Sequence, residues 1–168
     1  MIASLLQDLQ DPKYLHVLLN PLPVYGIALG IIGLTIALIQ RSRPAQVVTL
    51  VLILLAGVSA WPVEHYGEEG YDVALSLSDN SGSAWLKAHL HRAEQLIWIY
   101  YLLAAAAAAA LIAPTKWPKA KTFLTSITLV LALVAFGAGA YIAYAGGRAR
   151  HPEFRHQPSP AVPADDQD

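Results

Sequence analysis

LIWIYYLLAAAAAAALIA, Leu96 to Ala113, runs through eighteen residues without a charge. An α-helix needs about 20 apolar residues to cross a hydrocarbon core of about 30 Å. Three other runs meet that requirement and are equally free of Asp, Glu, Lys and Arg: Pro21 to Gln40, Ala45 to Val63 and Phe123 to Ala145. Hydrophobic residues make up 55% of the 168 and charged residues 14%. A soluble domain carries about 25% charged residues. The reading that follows is an all-α integral membrane protein, a four-helix bundle spanning 15–155. Residues 1–14 form an amphipathic interfacial segment and 156–168 an extended or disordered tail.

With four spans, both termini and the long connection from Glu64 to Arg92 share one compartment. All twelve acidic residues and all six histidines then fall on that side. The two short connections carry Arg41, Arg43, Lys116, Lys119 and Lys121 and no acid. Short Lys/Arg-rich loops stay in the cytoplasm, so both termini are expected outside. The net charge of −1 hides this sidedness and offers no basic stripe for nucleic acid.

Met1 to Lys13 holds Asp8 and Asp11 and no basic residue before Lys13, unlike a cleaved secretory signal, so the segment is expected to be retained. Ile2, Leu5, Leu6 and Leu9 repeat at helical spacing opposite Ser4, Gln7, Asp8 and Gln10, which predicts a short helix lying on the outer interface. Small residues mark the spans: Gly26, Gly30 and Gly33 in the first, Ala104 to Ala110 in the third, Gly137 and Gly139 in the fourth. In lipid such residues favour helix association because they let backbones approach. The pattern suits close packing within the chain and also a surface for partner helices.

In the long connection, Gly67 and Gly70 read as turn glycines closing the second helix. Asp79 to Ser83 reads as a turn, with Ser83 as N-cap of a third helix beginning at Ala84. His89 and His91 lie two apart on that helix and point about 200° from each other, so one ion cannot take both.

Cysteine is absent, which excludes thiolate sites, iron–sulfur clusters and covalently attached haem. No phosphate-binding glycine loop and no nucleophile elbow is present, and no span carries the ionisable residue of an ion pathway. The chain is not expected to be an enzyme, transporter or pump on its own. Histidine and carboxylate are its remaining strong ligands. Imidazoles from neighbouring helices ligate b-type haem, and imidazole with carboxylate suits iron, copper or zinc. The same residue types can also join helix ends as a polar clasp with no cofactor.

His16-Val17-Leu18-Leu19-Asn20-Pro21-Leu22-Pro23-Val24-Tyr25-Gly26 resembles the opening of an uncharacterised family of bacterial four-helix membrane proteins, His-x-x-x-Asn-His-x-Pro-x-x-Gly. Gly67-Glu68, His89 with Arg92 and Ala93, and Gly146-Gly147 followed by His151-Pro152-Glu153-Phe154-Arg155 resemble its later motifs, in order. Pro21 stands where the family has a second histidine, so a site needing that ligand is altered here. The resemblance implies a multi-pass protein of the bacterial inner membrane and selects His16, His89 and His151 among the histidines. It carries no activity. Glu68 and Glu153 are the supporting carboxylates, with Arg150 or Arg155 as charge partners.

The function expected on these grounds is an accessory subunit of a membrane redox complex. Its periplasm-facing cluster of His16, His89, His151, Glu68 and Glu153 would bind haem b or a transition metal (Fe, Cu or Zn), and its partners would be the lipid bilayer and other membrane subunits. The rival is a membrane scaffold without cofactor. A weaker third reading is a metal-delivery or sensor protein.

Overall fold

A computed structural model describes residues 6–161; the rest of the expected interfacial segment and of the tail lies outside the described residues. The elements are α1 (Pro12–Leu19), α2 (Pro21–Ile39), α3 (Arg43–Val58), α4 (Ala60–Glu69), α5 (Tyr71–Ser76), α6 (Asn80–Lys116) and α7 (Lys121–Arg150), with 3-10 turns at Pro118–Ala120 and Pro152–Phe154. No strand occurs among the described residues. Four stretches are long and apolar enough to cross a membrane: Pro12–Ile39, Arg43–Glu69, Asn80–Lys116 and Pro118–Arg150.

Prolines decide where the first two stretches are interrupted. Asn20 keeps helical dihedrals between α1 and α2, and Ser59 does the same between α3 and α4. Pro21, Pro23 and Pro62 have no N–H to give the carbonyl four residues back, so the ladder is broken locally without ending the helical path. Gly67 therefore lies inside α4 rather than in a turn, and Gly70 follows its end with φ −87°, in the ordinary right-handed region. Most of the connection expected to be loop is helical.

α6 starts at Asn80, four residues earlier than expected, and its N-cap is Asp79 rather than Ser83: Asp79 Oδ1 accepts from the Gly82 amide. The Ser83 hydroxyl instead donates back to the Asp79 carbonyl at 3.0 Å. At 37 residues, α6 is about 55 Å long, far more than a bilayer core needs. Pro114, in its last turns, leaves the Ala110 carbonyl without its usual amide donor. Arg43 Nη2 reaches across from α3 and donates to that oxygen at 3.1 Å.

α2 packs on α3, α3 on α6, α6 on α7, and α7 on α2. Adjacent helices run in opposite directions. A Cβ added at Gly26 would meet Ala56, at Gly30 Ile53, and at Gly33 Thr49, so ascending positions on α2 face descending ones on α3. The three glycines thus form the close seam that their spacing predicts. Part of the alanine run is used in the same way: Ala104, Ala107 and Ala110 are buried, while Ala105 and Ala109 face outward. Ala107 and Ala110 pack in one core with Ile27, Leu34, Leu50, Ile53 and Leu103 and with Ala132, Ala135 and Ala138 of α7. Thr125 and Thr128, buried in α7, donate their hydroxyls to the Lys121 and Leu124 carbonyls and leave no unmet polar group. This alternation brings His16, His65, His89, His91 and His151 to one end of the molecule. Arg41, Arg43, Lys116, Lys119 and Lys121 come to the other.

Candidate functional site

Two imidazoles meet at the histidine end. His16, on α1, donates Nδ1–H to the Val63 carbonyl of α4 at 2.8 Å. His89, on α6, donates Nδ1–H to the Ile142 carbonyl of α7 at 3.0 Å. A carbonyl oxygen only accepts, so Nδ1 carries a proton in both rings, and the neutral form of each imidazole presents a bare Nε2 lone pair. Among the described residues nothing hydrogen-bonds to either Nε2. The ring centroids are 6.3 Å apart at 84°.

The two rings are held by one device used twice. Gly67 stands one turn after Val63, and a Cβ there would lie 2.9 Å from His16 Nδ1; Gly146 stands one turn after Ile142, and a Cβ there would lie 3.0 Å from His89 Nδ1. In each hairpin the first helix supplies the histidine, and the second supplies a carbonyl and, four residues on, a glycine that leaves room for the ring. Both glycines stand at motif positions in the sequence, where nothing marks them as seats for imidazoles. The available signal was the Val63/Gly67 and Ile142/Gly146 spacing of four.

The remaining expected ligands lie elsewhere. His151 ends α7 with extended backbone, φ −117° and ψ 95°, and its exposed ring bonds Glu153 Oε1 at 3.0 Å and packs on Phe154. Glu68 is exposed on α4. Among the described residues no group of three or more His, Asp or Glu side chains is placed to hold one metal. The five-residue cluster expected from the sequence is therefore not assembled, and the structure brings together His16 and His89 only. His91, pointing away as helical geometry requires, is exposed and bonds Gln95 at 2.8 Å.

A polar clasp occupies the same end. Arg155 Nη1 binds both Asp79 oxygens at 2.8 Å, its Nε donates to the Arg148 carbonyl at 2.7 Å and its Nη2 to the Ala149 carbonyl at 2.9 Å. One guanidinium thus joins the N-cap of α6 to the last turn of α7, whose carbonyls have no helical partner. Gly82 makes the approach possible, since a Cβ there would stand 2.8 Å from Arg155 Nη2. Nearby, Arg92 lies 3.8 Å over the Tyr141 ring and Arg148 lies 3.5 Å over Tyr144. Arg155 was expected as a charge partner; Asp79 and Gly82 were not.

The Arg155 hydrogen bonds, followed by that of the Gly82 amide, hold the Asp79 carboxyl below its ordinary value of 3.8. Because the folded-state value is lowered, the clasp contributes fully above the ordinary carboxylate range and is lost as pH falls through the lowered value. Thermal stability of the wild type is expected to fall between about pH 5 and pH 2 more steeply than that of Asp79→Asn. Parallel curves for the two proteins would remove the clasp from the stability of the fold.

Compared with known proteins, the chain matches no family model, no curated protein and no solved structure.

Proposed function

We propose that the protein is a small accessory subunit of a membrane redox complex, a four-helix bundle of the bacterial inner membrane whose paired imidazoles His16 and His89 ligate one metal centre on the periplasmic side. The observation that carries this reading is the matched pair of Nδ1–H···carbonyl bonds, which fixes both rings in the ligating tautomer. To hold one metal, both Nε2 atoms would have to come within about 2.0–2.1 Å of it. The ring centroids lie 6.3 Å apart.

The donor set narrows the choice of group. A closed structural zinc site takes four protein ligands, and a catalytic one usually three. His16 and His89, two imidazoles with no carboxylate beside them, would hold a b-type haem iron or a copper ion of low coordination number. Bound there, such a centre supplies one-electron transfer. The residues of this chain hold and orient it: Val63 and Ile142 set the tautomers, Gly67 and Gly146 admit the rings, and the Arg155–Asp79 clasp keeps α6 and α7 together above it.

Protein purified in mild detergent is expected to contain iron or copper. A Soret band would assign haem, and copper without that band a mononuclear ion. His16→Ala and His89→Ala should each lose most of the metal, while His151→Ala should keep it. Native protein free of iron and copper would sink the redox reading. The clasp favours the second reading, a scaffold without cofactor, in which His16→Ala and His89→Ala lower thermal stability and change no bound metal.

The orientation rests on the loop cations. Reporter fusions after Arg43 and Lys119 are expected to be cytoplasmic, and fusions after Asp79 and Asp168 periplasmic. The opposite pattern would move the imidazole pair to the cytoplasm.

A further inference from the structure

We propose a second site, at the end of the molecule opposite the imidazoles: a cavity that binds the phosphate of an anionic membrane lipid. A concave space of about 230 Å³ opens there between α2, α3 and α7, lined by Leu38, Arg41, Gln46, Lys121 and Thr122. That is far more than the roughly 10–15 Å³ needed to admit one water. Its wall carries two cations, a hydroxyl and an amide, and no acid. Among the described residues the side chains of Arg41, Lys121 and Thr122 form no hydrogen bond or ion pair. At the histidine end, by contrast, Arg155 is paired and Arg92 and Arg148 are stacked on tyrosines.

The backbone gives an independent reason to assign Arg41 a role. α2 ends in a Schellman motif: the Ser42 amide donates to the Ala37 carbonyl and the Arg41 amide to the Leu38 carbonyl, both at 3.1 Å. The residue that donates the second of these bonds must be left-handed, and Arg41 has φ 53°. Glycine takes that position without penalty, whereas a residue with a Cβ pays for it. The chain nevertheless places a long cation there, at the mouth of the cavity. Lys121 is placed against local preference too. It opens α7, where the helix dipole disfavours a cation, and that first turn has no acid and no side-chain cap. Two basic residues held in unfavourable positions around one cavity call for an anion that neutralises both. At the end of a membrane-spanning bundle, the anion within reach is a lipid phosphate.

Native mass spectrometry of the full chain, with phosphatidylglycerol or phosphatidylcholine added at equal concentration, tests this. The wild type is expected to retain phosphatidylglycerol at least about fivefold better than phosphatidylcholine, with that preference lost in Arg41→Gly and in Lys121→Gln. Arg41→Gly should unfold no lower than the wild type and up to about 2–4 °C higher, because glycine relieves the left-handed residue. Loss of lipid in a more stable protein cannot be ascribed to misfolding. Equal retention of the two lipids, or unchanged preference in both variants, overturns the site. Displacement of phosphatidylglycerol by millimolar inorganic phosphate reassigns the cavity to a soluble phosphate and overturns the lipid.

Discussion

Gly30→Ala is expected to destabilise the protein by about 1–3 kcal/mol, while Gly137→Ala leaves it unchanged or stabilises it by up to about 1 kcal/mol. The two substitutions add the same methyl group inside apolar helices. At Gly30 the new Cβ falls within the contact distance of Ile53 Cγ1, a fully buried side chain with no room to move. Close-packed interiors yield to such an insertion only by off-rotamer side chains or backbone shifts. At Gly137 nothing lies within 4 Å, and the position is exposed on α7. There alanine only removes backbone freedom from the unfolded chain. Denaturant unfolding of both variants in one detergent makes the comparison. A Gly30→Ala protein as stable as Gly137→Ala would mean that the α2–α3 seam is looser than its distances indicate.

The seam also shows what can be read from a sequence of this kind. Gly26, Gly30 and Gly33 announce close approach by their spacing alone, because small residues on one helix face serve little else in lipid. The four apolar runs announce four helices for the same reason: length and hydropathy are local properties. The helix boundaries were less legible. Ser83 followed by an apolar helix is a sound capping signal, yet Asp79 takes the cap, because its carboxylate is gripped by Arg155, 76 residues away. No pattern within the 64–84 connection reports that partner. His151 stands apart from the pair on similar grounds. Its motif position is clear, but α7 stops there and the extended backbone turns the ring toward Glu153. His16 and His89 could be selected from sequence, but their pairing could not. It depends on which carbonyl each ring meets across a helix interface, and on two glycines that read locally as turn or packing residues.

Those glycines carry the sharpest test of the imidazole pair. Gly67→Ala and Gly146→Ala leave every proposed ligand in the chain, yet each is expected to lower metal affinity by about 10–100-fold, the usual cost of disturbing a group that orients a metal ligand. The Cβ at position 67 would lie 2.9 Å from His16 Nδ1 and 3.0 Å from its Cε1, and that at 146 would lie 3.0 Å and 3.1 Å from the same atoms of His89. Each ring must therefore shift, and its Nδ1–H leaves the carbonyl that fixes the tautomer. With that bond broken, the proton can move to Nε2, which then cannot ligate. Helical propensity alone would favour alanine at both positions, so a loss of metal cannot come from weakened helices. Metal titrations of the two variants, beside His16→Ala, His89→Ala and wild type, separate the cases. If the imidazoles form a metal site, the glycine variants weaken binding toward the level of the histidine variants. Wild-type affinity in both glycine variants would show that the cradles are packing alone, and that the metal, if bound, is held elsewhere.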